Sequence, residues 1–337
     1  MSQESAAGVK LDPWLAENLV CPRDHGQLNQ QGNELVCQTD AEHRYPVVDG
    51  IPVMLIQGVP ITIAACARSL EAERLTKYST TVSDAPASDS AVDPFVQKII
   101  VGTHGLLYKS LEGNMKTYPI PEIPLPPGNE RRLLDIGCNW GRWDFAAARR
   151  GYRVIGIDPN IDAVMAARRI KRQLGLTKID HVVGDGRYLP FKNQCFDIVF
   201  SFGVLQHFAK EDARKSLAEA KRVVKSTGET LIQMANRYGL RNCYSLVRQK
   251  LTRDSGVFRV RYWGPKELMQ AFSEIIGPSR MFADGFLTLN TQESDISMLP
   301  PRYRLVVRTS LLLRRISGKF SPLGYLADSL YFSSTPR

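Results

Sequence analysis

The sequence predicts an α/β chain, a doubly wound sheet preceded by a small β unit, and three observations carry that expectation. An apolar run breaks at a glycine loop in Leu133-Leu134-Asp135-Ile136-Gly137-Cys138-Asn139-Trp140-Gly141-Arg142. Residues 132–136 read as a buried strand and 143–149 as a helix, and the glycines between them permit a tight turn and close approach of a ligand. A second apolar run, Val154-Ile155-Gly156-Ile157, closes on Asp158 and Pro159. An acid at that strand tip can accept both hydroxyls of a ribose, so the pattern points to a nucleoside ligand. Thirdly, strand-like and helix-like segments continue to alternate for about a hundred residues, as βαβ units do.

In chain order, residues 1–14 read as a tail and 15–56 as a small β unit. Leu19-Val20-Cys21-Pro22-Arg23-Asp24 lies near its start, Leu35-Val36-Cys37 follows, and Tyr45-Pro46-Val47-Val48-Asp49-Gly50-Ile51-Pro52-Val53 lies near its end. Cys21 and Cys37 each lack the second cysteine of a C-x-x-C pair. Asp24 and Asp40 stand there instead, with His25 and His43 nearby. Tetrahedral zinc takes four soft or borderline ligands, and carboxylates weaken a thiolate site. The reading adopted is a metal-free unit held by Leu19, Val36, Val47, Ile51 and Val53; a Cys21/Cys37 site completed by His or Asp is the alternative. Residues 57–127 read as linker and lid. Within them 80–90 is a small, polar loop, 95–100 and 106–108 are apolar and helical, and 118–127 is a proline-rich extended connector.

Residues 128–290 hold the main domain. Val182-Val183-Gly184-Asp185-Gly186 is a strand closing on an acid. Phe196-Asp197-Ile198-Val199-Phe200-Ser201-Phe202 is a buried strand, followed by Gly203-Val204-Leu205-Gln206-His207-Phe208. Arg222-Val223-Val224-Lys225 then leads through Gly228 into Leu231-Ile232-Gln233-Met234. Over residues 131–236 this succession resembles the class I S-adenosylmethionine-dependent methyltransferases, and most closely their small-molecule subgroup. The resemblance implies a Rossmann-like sheet of seven strands and S-adenosyl-L-methionine as cofactor. It implies that Asp135 orients the loop and approaches the methionine amino group. Gly137, Cys138, Asn139 and Gly141 would lay their backbone against the methionine part. Asp158, beside Pro159, would hold the ribose hydroxyls, and Asp185, beside Gly186, would accept from the adenine amino group. Ser201 and Phe202 would present backbone groups to the methionine portion. Asn139 stands where the family commonly has a glycine, and Asn tolerates a left-handed backbone better than most residues.

The plain alternative for each acid is a solvated strand end or a helix cap. A nicotinamide dehydrogenase would seat a pyrophosphate on G-x-G-x-x-G, and Gly137-x-x-x-Gly141 departs from that pattern. The N-terminal unit resembles, over 15–55, the zinc-ribbon-like domain that partners some tRNA and protein methyltransferases and is fused to many bacterial ones.

Past the fifth strand, 241–253 reads as a basic helix, Pro265 as a first-turn residue of another, and 281–289 as a late strand. Residues 291–337 read as a helical extension. In it Leu305, Val306, Leu312, Leu313 and Ile316 are interspersed with Arg302, Arg308, Arg314 and Arg315. The stripe is read as packed on its own domain, with a peripheral membrane face as the lesser reading.

A chain of 337 residues can bury a large core and carry more than one domain. Its longest apolar stretch, 47–67, is broken by Asp49, Gly50, Pro52, Gly58 and Pro60, so no bilayer span is expected. The first residues show no basic-then-apolar leader and the cysteines are scattered, which fits reduced thiols and a cytoplasmic location. A net charge of +10 permits attraction to nucleic acid, acidic lipid or an acidic substrate without requiring any of them. No Asn-Pro-Pro-Tyr-type motif follows the fourth strand, which argues against transfer to base amines. The expected activity is O- or N-methylation of a small molecule, such as a saccharide or a natural-product intermediate, with nucleic acid not expected as partner. RNA or a lipid-linked saccharide as acceptor, and a non-catalytic cofactor-binding role, are the alternatives. An acceptor hydroxyl has to lose a proton, and His207, just past the fourth strand, is the candidate base.

Overall fold

The computed structural model describes residues 11–60, 69, 92–244, 246 and 260–337. The chain opens with helix α1 (Pro13–Asn18), started by Pro13 and by the Asp12 carboxylate, which accepts the Leu15 N–H at 3.0 Å. Strands β1 (Leu28–Gln31), β2 (Glu34–Cys37), β3 (Arg44–Val48) and β4 (Ile51–Pro52) follow as an antiparallel meander. Asp49 and Gly50 join the last two with φ of +49° and +79°, the paired left-handed residues of a tight hairpin turn. This unit is fastened to the rest of the molecule. Val53 bridges Val183, the Met54 N–H donates to the Val183 carbonyl at 2.7 Å, and Leu19 pairs with Phe191. Leu15, Leu19, Leu35, Val47 and Met54 share one apolar core with Ile155, Val182, Phe191 and Phe196.

Helix α2 (Pro94–His104) is capped by Asp93, whose side chain accepts the Phe95 N–H at 2.9 Å, and a 3-10 turn Leu106–Leu111 continues it. Residues 118–127 carry neither helix nor strand, as a proline-rich connector should. The central sheet then takes β5 (Arg132–Ile136), β6 (Arg153–Asp158), β7 (Ile179–Val183), β8 (Phe196–Phe202), β9 (Val224–Ala235), β10 (Ser279–Gly285) and β11 (Ser329–Ser334). Their order is β10-β11-β9-β8-β5-β6-β7. β5 to β9 run parallel, and β11 is antiparallel to both β9 and β10.

Alternate residues of each strand feed opposite cores. Leu134 and Ile136 pack with α5 (Lys210–Val223) and α6 (Pro265–Ile275), and Leu133 packs with α3 (Arg142–Arg149) and α4 (Ile161–Gln173). Both faces are therefore covered, which is why these strands are nearly continuous Leu, Ile, Val and Phe. β5 lies between β6 and β8, so the strand order reverses there and a crevice opens at the carboxyl ends.

The C-terminal region departs from the helical extension expected of 291–337. Helices α7 (Pro301–Lys319) and α8 (Ser321–Gly324) are present, but β11 then inserts between β9 and β10. Leu330, Tyr331 and Phe332 are all fully buried, so this strand lacks the alternation that marks a half-exposed one. The apolar stripe of α7 does not pack as a unit either. Val306 and Leu313 are half-buried, whereas Leu305, Leu312 and Ile316 are exposed at 67%, 57% and 42%. The inward face is carried instead by Val307, Ser310 and Ser317. The polar loop at 80–90 and most of the basic segment at 241–253 lie outside the described residues. Among those described, no helix is long and apolar enough to cross a membrane.

Candidate cofactor and acceptor site

Two chain reversals shape the crevice. Leaving β5, Gly137, Asn139 and Gly141 take φ of +79°, +50° and +86°, so Asn139 does adopt the left-handed backbone. The Gly137 and Cys138 N–H groups donate to the Ile157 carbonyl at 2.7 and 3.1 Å. Gly137 has no room for a side chain, because a Cβ there would lie 2.2 Å from Val204 Cγ2. β8 leaves through Gly203 into the short turn Leu205–His207. Asp158, at the end of β6, ties the β5 loop to the start of α4: Oδ2 accepts the Asn139 N–H at 3.0 Å and Oδ1 the Asn160 N–H at 2.9 Å. Burial pushes this carboxyl up to about 6 against the pull of both N–H groups.

The crevice is a cavity of about 550 Å³. Gly137, Cys138, Asn139, Asp158, Pro159, Asp185, Gly186, Phe202 and His207 line it. Three residues expected there lie behind its wall. Ser201 Oγ donates to the Ile136 carbonyl at 2.8 Å and so joins β8 to β5. Gly141 makes room for the Phe145 ring, which a Cβ would meet at 2.8 Å. Asp135 points to the opposite side of β5, toward α3. Asp185 lines the cavity, but Arg187 grips its carboxylate through Nη2 at 2.7 Å and Nε at 3.1 Å. Arg187 also reaches Asp212 at 3.3 Å and the Pro60 carbonyl at 2.8 Å.

Much of the remaining wall is apolar, made by Leu106, Leu107, Trp143, Phe202, Leu287, Leu289 and Tyr303, with the Trp143 and Phe202 rings 4.6 Å apart between centroids. Sequence reading missed most of these, since they come from segments far apart in the chain. It also missed Arg142, which is buried and donates to the Pro119 carbonyl at 2.7 Å, the Asn290 carbonyl at 2.9 Å and Asp295 at 2.9 Å. Asp295 in turn accepts the Tyr108 hydroxyl. One guanidinium thus joins the connector, the α2 lid and the segment before α7. The signal was available: a cation in the first turn of a helix opposes the macrodipole and needs a partner elsewhere.

Residues 133–228 match the family described as methyltransferase domain, and residues 12–50 match the family of Trm112p-like proteins. The chain carries a methyltransferase domain. Its cofactor is S-adenosyl-L-methionine. The tRNA U34 carboxymethyltransferase of Marinobacter nauticus is 34% identical over 104 residues, which cover 31% of either chain. The uncharacterized methyltransferase YcgJ of Bacillus subtilis is 31% identical over 103 residues, 31% of this chain and 40% of that one. The ubiquinone biosynthesis O-methyltransferase of Azorhizobium caulinodans is 29% identical over 113 residues, 34% and 44% of the two chains. The chain therefore spans less than half the length of each of these relatives. The solved YcgJ structure from Bacillus subtilis is 20% identical, covers 62% of this chain and 93% of its own, and gives a TM-score of 0.43.

Beneath the loop of the methyltransferase domain lies a group of buried acids that the sequence did not reveal. Asp135 and Asp144, the latter in the first turn of α3, are 1% and 0% exposed. Burial pushes both carboxyls up, Asp144 to about 7. Asp144 Oδ2 lies 3.1 Å from His181 Nε2, and burial lowers that imidazole to about 3, which keeps it neutral. Gly156 leaves the space for this contact, since a Cβ there would sit 2.4 Å from Asp144 Oδ2. Asp135 thus lies beside Asp144 on the α3 side of β5.

In the Trm112p-like unit, Cys21, Asp24, Cys37 and His43 offer one donor atom each, all within 4.8 Å of one another. His43 Nδ1 lies 3.5 Å from Cys21 Sγ and 3.4 Å from Asp24 Oδ2, and Cys37 Sγ lies 3.6 Å from Asp24 Oδ1. On the other side of the ring, Nε2 faces Asp40 at 3.4 Å. Two thiols, an imidazole and a carboxylate form a four-ligand set that suits zinc, and Asp40 is placed to orient the imidazole. His25 does not belong to the cluster. This geometry favours a metal, where the sequence alone favours a metal-free unit.

Proposed function

We propose that the protein is an S-adenosyl-L-methionine-dependent methyltransferase of the cytoplasm that acts on an oxygen or nitrogen atom of a small, largely apolar molecule. The observation that carries this reading is the composition of one continuous cavity. Polar groups around Gly137, Asp158 and Asp185 suit the cofactor, and Leu106, Leu107, Trp143, Leu287 and Leu289 suit an apolar acceptor. S-adenosylmethionine, when bound, supplies an electrophilic methyl carbon on a sulfonium. In this reading Asp158 holds the ribose hydroxyls, the loop from Gly137 to Asn139 backs the methionine part, and the aromatic wall of Trp143 and Phe202 excludes water. His207, on the cavity wall, takes the proton from an acceptor hydroxyl.

RNA is the second reading, supported by the net charge of +10 and by the name of the Marinobacter relative. The apolar part of the cavity weighs against it. The test is transfer of a radiolabelled methyl group by the purified protein into fractionated extracts of a deletion strain. Label in small, organic-soluble molecules is expected. Label confined to RNA would replace this reading with the second one. Cofactor binding without label in any fraction would leave a non-catalytic, cofactor-binding partner protein.

A further inference from the structure

Helix α7 starts at the cavity. Tyr303, in its first turn, lines the wall together with Leu106, and the same two residues border a shallow depression with Lys109, Ser110 and Arg302. From there the helix runs on for 19 residues without a single acid. Leu305, Leu312 and Ile316 are its exposed apolar residues, at 67%, 57% and 42%. Their spacings of seven and four residues bring them onto one line along the outer face, within about 40° of arc at 3.6 residues per turn. Arg308, Arg315 and Lys319 follow one side of that line and Arg302 the other. None of Arg308, Arg315 and Lys319 forms an ion pair among the described residues. Arg314, by contrast, turns inward to Asp284 at 3.9 Å. Leu106, beside the cavity, is 69% exposed, and Phe320, at the far end of the helix, is 59% exposed.

A solvated helix face does not place its leucines at the centre of its most exposed arc. An apolar ridge flanked by unpaired cations and free of acids fits a surface that is apolar inside and anionic outside. A lipid bilayer rich in acidic headgroups has that profile, with the cations at headgroup level and the leucines at the acyl boundary. We propose that α7 lays this protein on an anionic membrane surface, with the cavity opening beside Leu106 and Tyr303 held at the lipid. This deepens the proposed function, since an apolar acceptor would pass from the bilayer into the cavity without crossing water.

The test is flotation of the full chain with vesicles of phosphatidylcholine alone and of phosphatidylcholine mixed with phosphatidylglycerol. Partitioning onto the anionic vesicles is expected to be at least about tenfold stronger and to fall steeply with added salt. Leu305→Glu combined with Leu312→Glu should abolish it, and Arg308→Glu combined with Arg315→Glu should abolish the preference for anionic lipid. Neither pair lines the cavity, so calorimetric affinity for S-adenosylmethionine should stay within about twofold of wild type, which also reports that the variants fold. Equal partitioning of wild type and both variants would overturn the proposal. So would a dimer by analytical ultracentrifugation that the leucine variant dissolves, or retarded migration with RNA that the arginine variant abolishes, if either occurs without vesicle binding. Loss of cofactor binding in the wild-type protein would count against the proposed function and leave the membrane face to be judged by flotation alone.

Discussion

Replacing Asp158 with alanine puts the cofactor reading at most direct risk. The carboxylate lines the cavity, and its oxygens already accept the Asn139 and Asn160 N–H groups at 3.0 and 2.9 Å. Each oxygen keeps a second acceptor position, which is what a pair of ribose hydroxyls requires. A hydrogen bond to a charged group contributes about 1.5–3 kcal/mol, so two such bonds set a ceiling of about 3–6 kcal/mol. Water replacing the side chain recovers part of that, so a tenfold loss, about 1.4 kcal/mol, is the minimum expected. Calorimetry at neutral pH should show the Kd for S-adenosylmethionine rising at least tenfold in Asp158→Ala, with a cooperative thermal transition retained.

The wild-type pH dependence gives a second readout. Burial holds the carboxyl at about 6, so acid removes the charged acceptor below that value. One unit lower, about a tenth of the sites are ionised and the Kd should be about tenfold higher. A folded-state value above the unfolded one means that this group favours the folded state more at low pH, so unfolding is not the cause of that loss. In Asp158→Ala the dependence should vanish. A Kd unchanged by the substitution, or a wild-type Kd flat through this range, would refute the ribose assignment.

Three further outcomes are expected. His207→Ala should leave cofactor affinity intact and lower turnover by about 10²–10⁴-fold, with the deficit shrinking as rising pH ionises the acceptor unaided; near-normal turnover at neutral pH would leave His207 no role as a base. Metal analysis should find one zinc per chain, lost together with several degrees of melting temperature in Cys21→Ser, and well under one zinc in the wild type would restore the metal-free reading of the ribbon. The Asp144 carboxyl is raised by burial, so its contribution to stability is present below the unfolded carboxyl value near 4 and is lost as pH rises. Asp144→Asn should therefore flatten the decline in urea midpoint between weakly acidic and neutral pH, and an unchanged slope would show that Asp144 is not the group responsible.

The sequence by itself determined the central strands and their acids. Arg132–Ile136 and Phe196–Phe202 are mostly Leu, Ile, Val and Phe because both sheet faces are covered, and such runs stand out against their turns. Asp158 and Asp185 were legible because one closes a strand and the other stands two residues past one, and Asn139 because few residues other than glycine accept φ of +50°. Tertiary structure alone decided what depends on contacts between distant segments. β11 is fixed by pairing with β9 and β10, nearly a hundred and about fifty residues away, and its three consecutive buried apolar residues carry no period to read. Asp135 and Asp144 meet on the hidden side of β5, a contact between two separate elements that no local pattern shows. The four ribbon donors look incomplete in sequence because a cysteine pair is a local pattern, while a site completed by Asp24 and His43 exists only once the meander closes. The stripe on α7 illustrates the same limit. Periodicity shows that a helix is two-faced, but which face turns inward is decided by the surface it meets, and here Val307, Ser310 and Ser317 meet it while the leucines face out.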